Sequence, residues 1–145
     1  MLKIYQNYLL KAFSRKLFLV SLIFLALSFI LNIFEEINFF KDKEVNLLTP
    51  FFLTLLNIPS TLYEAFPFIF LISAQYFFIE IIDNSELNIY KNYGIDNFKI
   101  LKLISFTSLI YGILIVLLFY NFSSKLKFLF LDIKNQYSED NKYLA

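Results

Sequence analysis

Residues 56–95 read LNIPSTLYEAFPFIFLISAQYFFIEIIDNSELNIYKNYGI. In this stretch an apolar segment with prolines at Pro59 and Pro67 passes directly into a polar segment, residues 83–96. A short polar helix between two apolar spans is a natural surface on which a soluble partner can act. The pattern therefore favours a coupling element in a membrane protein over a catalytic pocket.

The composition supports an integral membrane protein. The chain is 59% hydrophobic, whereas a soluble domain is about 45–50% apolar. Residues 17–34 carry no charge and would extend about 27 Å as a helix, close to a hydrocarbon core of about 30 Å. Residues 103–124 are also uncharged, and residues 59–79 carry one charge, Glu64. We predict an all-α membrane protein with three transmembrane helices near 17–39, 50–82 and 98–122.

The remaining segments flank these spans. Residues 1–16 mix apolar and basic positions and are predicted to lie at the cytoplasmic interface and turn into the first span. Residues 47–57 form either an interfacial helix or the upper part of a bent second span, because Pro59 interrupts a continuing helix. Residues 123–145 become polar and are interpreted as the start of a truncated periplasmic region.

Several function classes are disfavoured. The chain has no histidine and no cysteine, which removes the commonest general base and the thiolate metal sites. Its two glycines, Gly94 and Gly112, are too far apart for a phosphate-binding loop of the Walker type. The net charge of +1 gives no reason to expect nucleic acid. We expect no catalytic residues, no metal and no cofactor.

The distribution of basic residues predicts the orientation. Lysine and arginine are held on the cytoplasmic side of a membrane. More of them precede the first span than follow it, so the amino terminus is predicted to be cytoplasmic. The residues before the span are Lys3, Lys11, Arg15 and Lys16, and those after it are Lys41 and Lys43.

The second loop is predicted to contain a short helix near residues 84–93. Asp83 is the expected N-cap, with Glu86 three positions on to complete a capping-box-like pair. Gly94 suits the left-handed position that ends a helix, and Asp96 is the expected cap of the next helix. One face would carry Leu87, Tyr90, Lys91 and Gly94. An ordinary capped interhelical loop is the alternative interpretation.

Polar residues near the external ends of the first two spans are candidates for contact with a ligand. Asn32, Glu35 and Glu36 end the first span, where they either line a cavity or form a polar helix end in water. Glu64 lies inside the second span, and an intramembrane carboxylate is a functional candidate. It can alternatively snorkel to the interface or pair with a lysine of the first external loop, Lys41 or Lys43.

An ordered set of short elements resembles the amino-terminal part of the lipopolysaccharide-export permease family, the LptF/LptG type. The resemblance covers nearly all of residues 5–122 and is slightly closer to the LptG side, on residues around 33–37 and 55–59. Its elements are Tyr8…Lys11, Leu55-Leu56-Asn57-Ile58-Pro59, Phe66-Pro67, Ser85-Glu86-Leu87 and Gly94-Ile95.

This resemblance implies a multi-pass inner-membrane permease subunit of an ABC exporter. Such a subunit extracts lipopolysaccharide from the inner membrane and passes it towards the outer membrane. It works with an ATPase dimer, a sister permease and a periplasmic bridge component, and ATP hydrolysis belongs to the separate ATPase. The implied ATPase-coupling residues are Ser85, Glu86, Leu87, Tyr90, Lys91 and Gly94, and the lipid-cavity candidates are Asn32, Glu35, Glu36 and Glu64.

The sequence departs from the family pattern in three places. The periplasmic jellyroll domain and the last three spans of the family are missing, which suggests a fragment. Asn32 stands where LptG-type members tend to carry a lysine, and Asn92-Tyr93 precede Gly94 where small residues are usual. The alternative function is a small structural or assembly protein of the membrane with no transported substrate.

Overall fold

The computed structural model of the chain describes the backbone of residues 2–138 and the side chains of residues 4–138. Helices joined by short turns make up this part, and no strand occurs within it. The predicted all-α class is confirmed, and so is the short helix between the second and third long helices. The elements are α1 (Leu2–Phe40), α2 (Leu48–Asp83), α3 (Glu86–Asn92), α4 (Asn97–Leu114), a π-helical segment (Ile115–Phe119) and α5 (Tyr120–Gln136).

Within the described part of the chain, three helices are long and apolar enough to cross a membrane. They are α1, α2 and the continuous helix formed by α4, the π-helical segment and α5. Large apolar side chains project outward along them, with Leu31 70% exposed and Leu118 69% exposed. A soluble protein rarely exposes so much contiguous apolar surface, whereas helices that face lipid are expected to.

The long helices extend beyond the predicted spans. Helix α1 is continuous from Leu2, so the turn expected between the amino-terminal segment and the first span does not occur. Helix α2 begins at Leu48 and runs through Pro59 and Pro67, which makes residues 48–57 part of the second long helix. Of the two alternatives for residues 47–57, the structure has the upper part of the second span, in agreement with the predicted span 50–82. The expected interruption at Pro59 does not occur, and proline is tolerated within membrane helices.

The third long helix continues to Gln136, although the sequence favoured an end near residue 122. The stretch interpreted as the start of a periplasmic region is therefore helical over most of its length. The last residues of that stretch, 139–145, lie outside the described part of the chain.

The chain divides into two compact units, of which unit 1 comprises residues 1–22 and 66–114. Its core is a cluster of buried apolar side chains in which the rings of Phe13 and Phe77 meet edge to face at 5.7 Å. Polar contacts add to this core: Lys16 Nζ lies 2.7 Å from Glu80, and the hydroxyl groups of Ser14 and Tyr111 are 2.7 Å apart. Helix α1 is thereby fixed to both α2 and α4 within unit 1. The core residues are Leu9, Phe13, Phe77, Ile81, Ile95, Ile100 and Ile104.

Unit 2 comprises residues 23–65 and 115–145. Its apolar core is smaller and consists of Phe40, Leu53, Leu56 and Phe130. The same unit also contains buried polar side chains, among them Asn32, Glu36, Asn57 and Lys134. They form the second part of the candidate site.

Candidate functional site

Helix α3 ends in a Schellman motif. The N–H of Ile95 donates to the carbonyl of Tyr90 at 2.9 Å, and the N–H of Gly94 donates to the carbonyl of Lys91 at 2.9 Å. Gly94 has a φ of 75°, the left-handed conformation that this motif requires at the residue after the C-cap. The predicted helix-ending role of Gly94 is confirmed. Ile95 belongs to the buried core of unit 1 and Tyr90 packs against it, so the end of α3 is fixed in position.

The start of α3 differs from the prediction. Asp83 is the last residue of α2, and the N-cap of α3 is Ser85, in the left-handed conformation with a φ of 58° and no side-chain cap hydrogen bond. The expected capping box between Asp83 and Glu86 is therefore wrong. Helical hydrogen bonds of α2 continue past Asp83, because the N–H groups of Asn84 and Ser85 still donate to carbonyls of that helix. Only the change of φ at Ser85 separates the two helices.

The carboxylate of Glu86 makes a contact with α1 instead. The hydroxyl of Tyr8 donates to Glu86 Oε1 at 3.0 Å, and the rings of Tyr5 and Tyr90 lie 6.3 Å apart at a tilted angle. Helix α3 is thus held against the amino-terminal turns of α1 by one charge-assisted hydrogen bond and one aromatic contact. These contacts fix the direction in which α3 presents its exposed side.

The six predicted coupling residues separate into two groups by exposure. Leu87 and Tyr90 are half-buried and pack against the core of unit 1, and Glu86 is also half-buried. Ser85, Lys91 and Gly94 are exposed. The structure therefore brings all six onto one seven-residue helix and its flanks, with an inner side that attaches the helix and an outer side open to contact.

A groove of about 710 Å³ lies beside this helix, within unit 1. Tyr8, Ile89, Tyr90 and Tyr93 contribute to its largely apolar lining, and Glu86 is the one charged side chain among the described lining residues. Burial, and then the nearby charge of Glu86, raises the pKa of Tyr90 to about 12.

The second group of polar residues lies in unit 2, where Asn32 takes part in a hydrogen-bond network. The side chain of Asn57 donates to Asn32 Oδ1 at 2.7 Å, and Lys127 Nζ donates to Asn57 Oδ1 at 2.8 Å. Asn32 itself donates to the carbonyl of Ser28 at 2.8 Å and to the hydroxyl of Thr61 at 3.3 Å. The network joins α1, α2 and α5.

Glu36 lies one turn further along α1 and forms a buried ion pair. Lys134 Nζ is 2.8 Å from Glu36 Oε1, and the side chains of Glu36 and Lys134 are 1% and 3% exposed. The ammonium group also lies over the rings of Phe39 and Phe130, at 4.6 and 5.1 Å from their centroids. Glu36 Oε2 is buried and accepts no hydrogen bond from any described residue.

The other two lipid-cavity candidates do not join this network. Glu35 and Glu64 are exposed, and the hydroxyl of Ser60 donates to Glu64 at 3.5 Å. None of the ion pairs formed by the described residues involves Glu64. The alternative of a Glu64 pair with Lys41 or Lys43 is therefore not what the structure has. The structure brings Asn32 and Glu36 into one polar layer and leaves Glu35 and Glu64 outside it.

Sequence reasoning missed Asn57, Lys127 and Lys134 as members of this layer. A signal was present, because Ser123, Phe130 and Lys134 are buried at positions that share one face of a helix. Reading residues 123–136 as the continuation of an amphipathic helix would have pointed Lys127 and Lys134 towards the polar end of the first span.

The comparisons with known proteins assign the family. The model of the family "Lipopolysaccharide export system permease LptF/LptG" matches residues 7–145. No curated protein and no solved structure matches the chain. The fold of the described residues agrees with this family: it has three helices able to span a membrane and a short helix between the second and third. The chain belongs to the LptF/LptG family of lipopolysaccharide export permeases and is a multi-pass protein of the inner membrane.

Proposed function

We propose that this chain supplies the first three spans of a permease subunit that extracts lipopolysaccharide from the inner membrane and passes it towards the outer membrane. An ATPase dimer hydrolyses ATP, a sister permease completes the translocation path, and a periplasmic bridge component receives the lipid. The family match supports this role. The observation that supports coupling to an ATPase is the attachment of α3 to the core of unit 1.

Coupling requires an element that transmits a displacement without absorbing it. Helix α3 meets this requirement because the Schellman motif fixes its end and Leu87 and Tyr90 pack against the core of unit 1. Its exposed side, with Ser85 and Lys91, and the partly exposed carboxylate of Glu86 form the surface proposed to contact the ATPase. A push on that surface would reach α1 through Tyr8 and α4 through the short connection after Gly94.

The two groups of polar residues in unit 2 have different proposed roles. Glu35 and Glu64 are exposed, so a lipid headgroup can reach them directly. Asn32 is buried in its hydrogen bond with Asn57, which also binds Lys127, and Glu36 is buried in its ion pair with Lys134. A lipid therefore reaches them only when these contacts open. We propose that Asn32 and Glu36 contribute to the lipid cavity through this opening.

The cytoplasmic orientation of α3 is tested by cysteine labelling. The chain contains no cysteine, so Asn88→Cys in α3 and Asp42→Cys in the loop after α1 each provide a single reactive thiol. Both positions are exposed. With the amino terminus inside, a membrane-impermeant maleimide labels Asp42→Cys in intact spheroplasts and labels Asn88→Cys only after the membrane is opened. The reverse pattern would invert the topology and end the proposal for α3.

The coupling role is tested by co-purification of the ATPase with the complete permease. Loss of a charge contact at a desolvated interface costs about 2–5 kcal/mol, so Glu86→Gln and Glu86→Ala are both expected to reduce ATPase recovery strongly. Tyr8→Phe removes only the intramolecular hydrogen bond, worth about 0.5–1.5 kcal/mol, and is expected to have a smaller effect. Glu44→Gln removes one exposed carboxylate from the loop after α1 and is the matched control.

The pattern of losses distinguishes two roles for Glu86. Equal losses in Glu86→Gln and Tyr8→Phe would assign Glu86 to holding α3 in place, not to contact with the ATPase. Wild-type recovery with both Glu86 variants would remove Glu86 from the docking surface. Wild-type recovery with both Glu86 variants and also with Lys91→Gln, which changes the exposed side of α3, would favour the structural or assembly role.

A further inference from the structure

A second groove in unit 1, which shares only Tyr5 with the described lining of the groove beside α3, has a polar end and an apolar floor. Its volume is about 530 Å³, within the roughly 300–1,000 Å³ range of small-molecule sites in proteins. It lies between the amino-terminal turns of α1 and the first three turns of α4. The side chains that matter for its chemistry are Tyr5, Gln6, Lys99, Lys102, Phe106 and Leu109.

The chemistry of the groove changes in order along α4. The cationic residues Lys99 and Lys102 come first, and Phe106 and Leu109 follow towards the middle of the long helix. From position 99 to position 109 the helix rises by about 15 Å, which is half of a hydrocarbon core of about 30 Å. The groove therefore has the length of one membrane leaflet, with positive charge at one end.

The cationic end carries net positive charge. No acidic side chain is among the described residues that line the groove. Lys99 Nζ donates to the carbonyl of Gly94 at 3.0 Å, which holds this ammonium group near the start of α4, while Lys102 is exposed. The groove beside α3 differs in this respect, because its charged group is the carboxylate of Glu86.

We propose that this groove binds one anionic glycerophospholipid of the membrane leaflet in which α4 begins. The phosphate is paired with Lys99 and Lys102, and an acyl chain lies along Phe106 and Leu109. Basic pockets at the ends of membrane helices select anionic lipids through this combination of charge and apolar contact. The lipid is a stationary component of the protein and distinct from the transported lipopolysaccharide, so the inference does not rest on the transport cycle.

Native mass spectrometry of the complete permease with added phosphatidylglycerol or phosphatidylcholine tests the proposal. Each lysine near the membrane surface contributes about a fivefold gain in affinity for an anionic lipid. The double variant Lys99→Gln/Lys102→Gln is expected to bind phosphatidylglycerol about 30-fold more weakly, with phosphatidylcholine binding unchanged. The matched control is Lys41→Gln/Lys125→Gln, which removes two exposed lysines of unit 2 and is expected to bind both lipids as the wild type does.

Two further variants keep the test decisive if the double variant folds poorly. Lys102→Gln alone leaves the hydrogen bond of Lys99 intact and is expected to weaken phosphatidylglycerol binding about fivefold. Lys99→Arg/Lys102→Arg keeps both charges and is expected to bind nearly as tightly as the wild type.

Four results would overturn the proposal. The first is equal affinity of the wild type for phosphatidylglycerol and phosphatidylcholine, and the second is an equal loss in the Lys41→Gln/Lys125→Gln control. The third is full competition by inorganic phosphate, which would indicate an anion site without a lipid. The fourth is a double variant that binds lipopolysaccharide more weakly than the wild type but binds phosphatidylglycerol equally well, which would assign the groove to the transported substrate.

Discussion

The buried ion pair between Glu36 and Lys134 offers the sharpest test of what holds unit 2 together. The proposed perturbation is a cycle of three variants of the complete permease: Glu36→Leu, Lys134→Met and the double substitution. The two side chains are 1% and 3% exposed and their charged atoms are 2.8 Å apart. Each single variant therefore leaves one buried charge without its ionic partner.

The magnitude follows from the cost of an uncompensated buried charge. Removing one partner of a buried pair destabilises a protein by about 3–5 kcal/mol. Replacing both partners with apolar side chains of similar volume is often neutral or stabilising by about 1–4 kcal/mol. Stabilisation is favoured here because Glu36 Oε2 accepts no hydrogen bond from the described residues, and an unsatisfied buried acceptor costs roughly 1–3 kcal/mol.

The free energy of unfolding is measured by detergent-induced denaturation in mixed micelles, with the helical circular dichroism signal as readout. Glu35→Leu is the matched control, because Glu35 is the neighbouring carboxylate on α1 and is exposed. Its substitution is expected to change the free energy of unfolding by less than about 0.5 kcal/mol. Lys134→Met also removes the contacts of the ammonium group with the rings of Phe39 and Phe130, so its loss is expected to be at least as large as that of Glu36→Leu.

The decisive quantity is the coupling energy between the two substitutions. Two large single losses and a double variant as stable as the wild type, or more stable, give a coupling energy of several kcal/mol. Losses that simply add, or single variants as stable as Glu35→Leu, would refute the idea that a desolvated ion pair joins α1 to α5. The position of α5 against α1 would then have to be explained without this ion pair.

Two further predictions concern unit 1. Gly94→Ala is expected to destabilise the end of α3 by about 1–2 kcal/mol and to speed hydrogen exchange of residues 86–94. The cause is backbone strain at a φ of 75° and not a clash, because an added Cβ meets no atom within 4 Å. Gly112→Ala, in the interior of the third long helix, should instead stabilise the protein by about 0.5–1 kcal/mol, and equal effects of the two substitutions would contradict this explanation. Ser14→Ala and Tyr111→Phe are each expected to lower the free energy of unfolding by about 0.5–1.5 kcal/mol and together by no more than one of them, because they share a single hydrogen bond of 2.7 Å; additive losses in mixed-micelle unfolding would contradict this.

Local chemistry made part of the fold readable from the sequence. Apolar length predicted three membrane helices, and Gly94 predicted the end of α3, because both depend on residues close together in the chain. The start of α3 was not predicted correctly. Asp83 and Ser85 are both good N-cap residues, and the choice between them depends on how far α2 continues. Its hydrogen bonds reach Asn84 and Ser85, which the local sequence does not reveal.

The polar layer of unit 2 was only half predicted for a related reason. Asn32 and Glu36 stand out because they are polar residues at the end of an apolar span. Lys127 and Lys134 look like solvated charges in a polar tail, and only their three-dimensional positions opposite Asn57 and Glu36 make Lys127 half-buried and Lys134 buried. Ion pairs between residues 98 positions apart leave no local trace except the helical spacing of the buried positions.

The two candidate sites are stabilised in physically different ways, and the difference agrees with their proposed roles. The contact between Tyr8 and Glu86 is exposed, and exposed polar contacts contribute little and can be exchanged at low cost. The contact between Glu36 and Lys134 is buried, so breaking it is expensive unless a new partner replaces the lost one. A group of the proposed protein partner could therefore replace the Tyr8 hydroxyl on Glu86, while the Schellman motif and the packing of Leu87 keep α3 in place. A buried network can open only when a ligand supplies replacement charge and hydrogen bonds, so its opening would depend on the presence of that ligand.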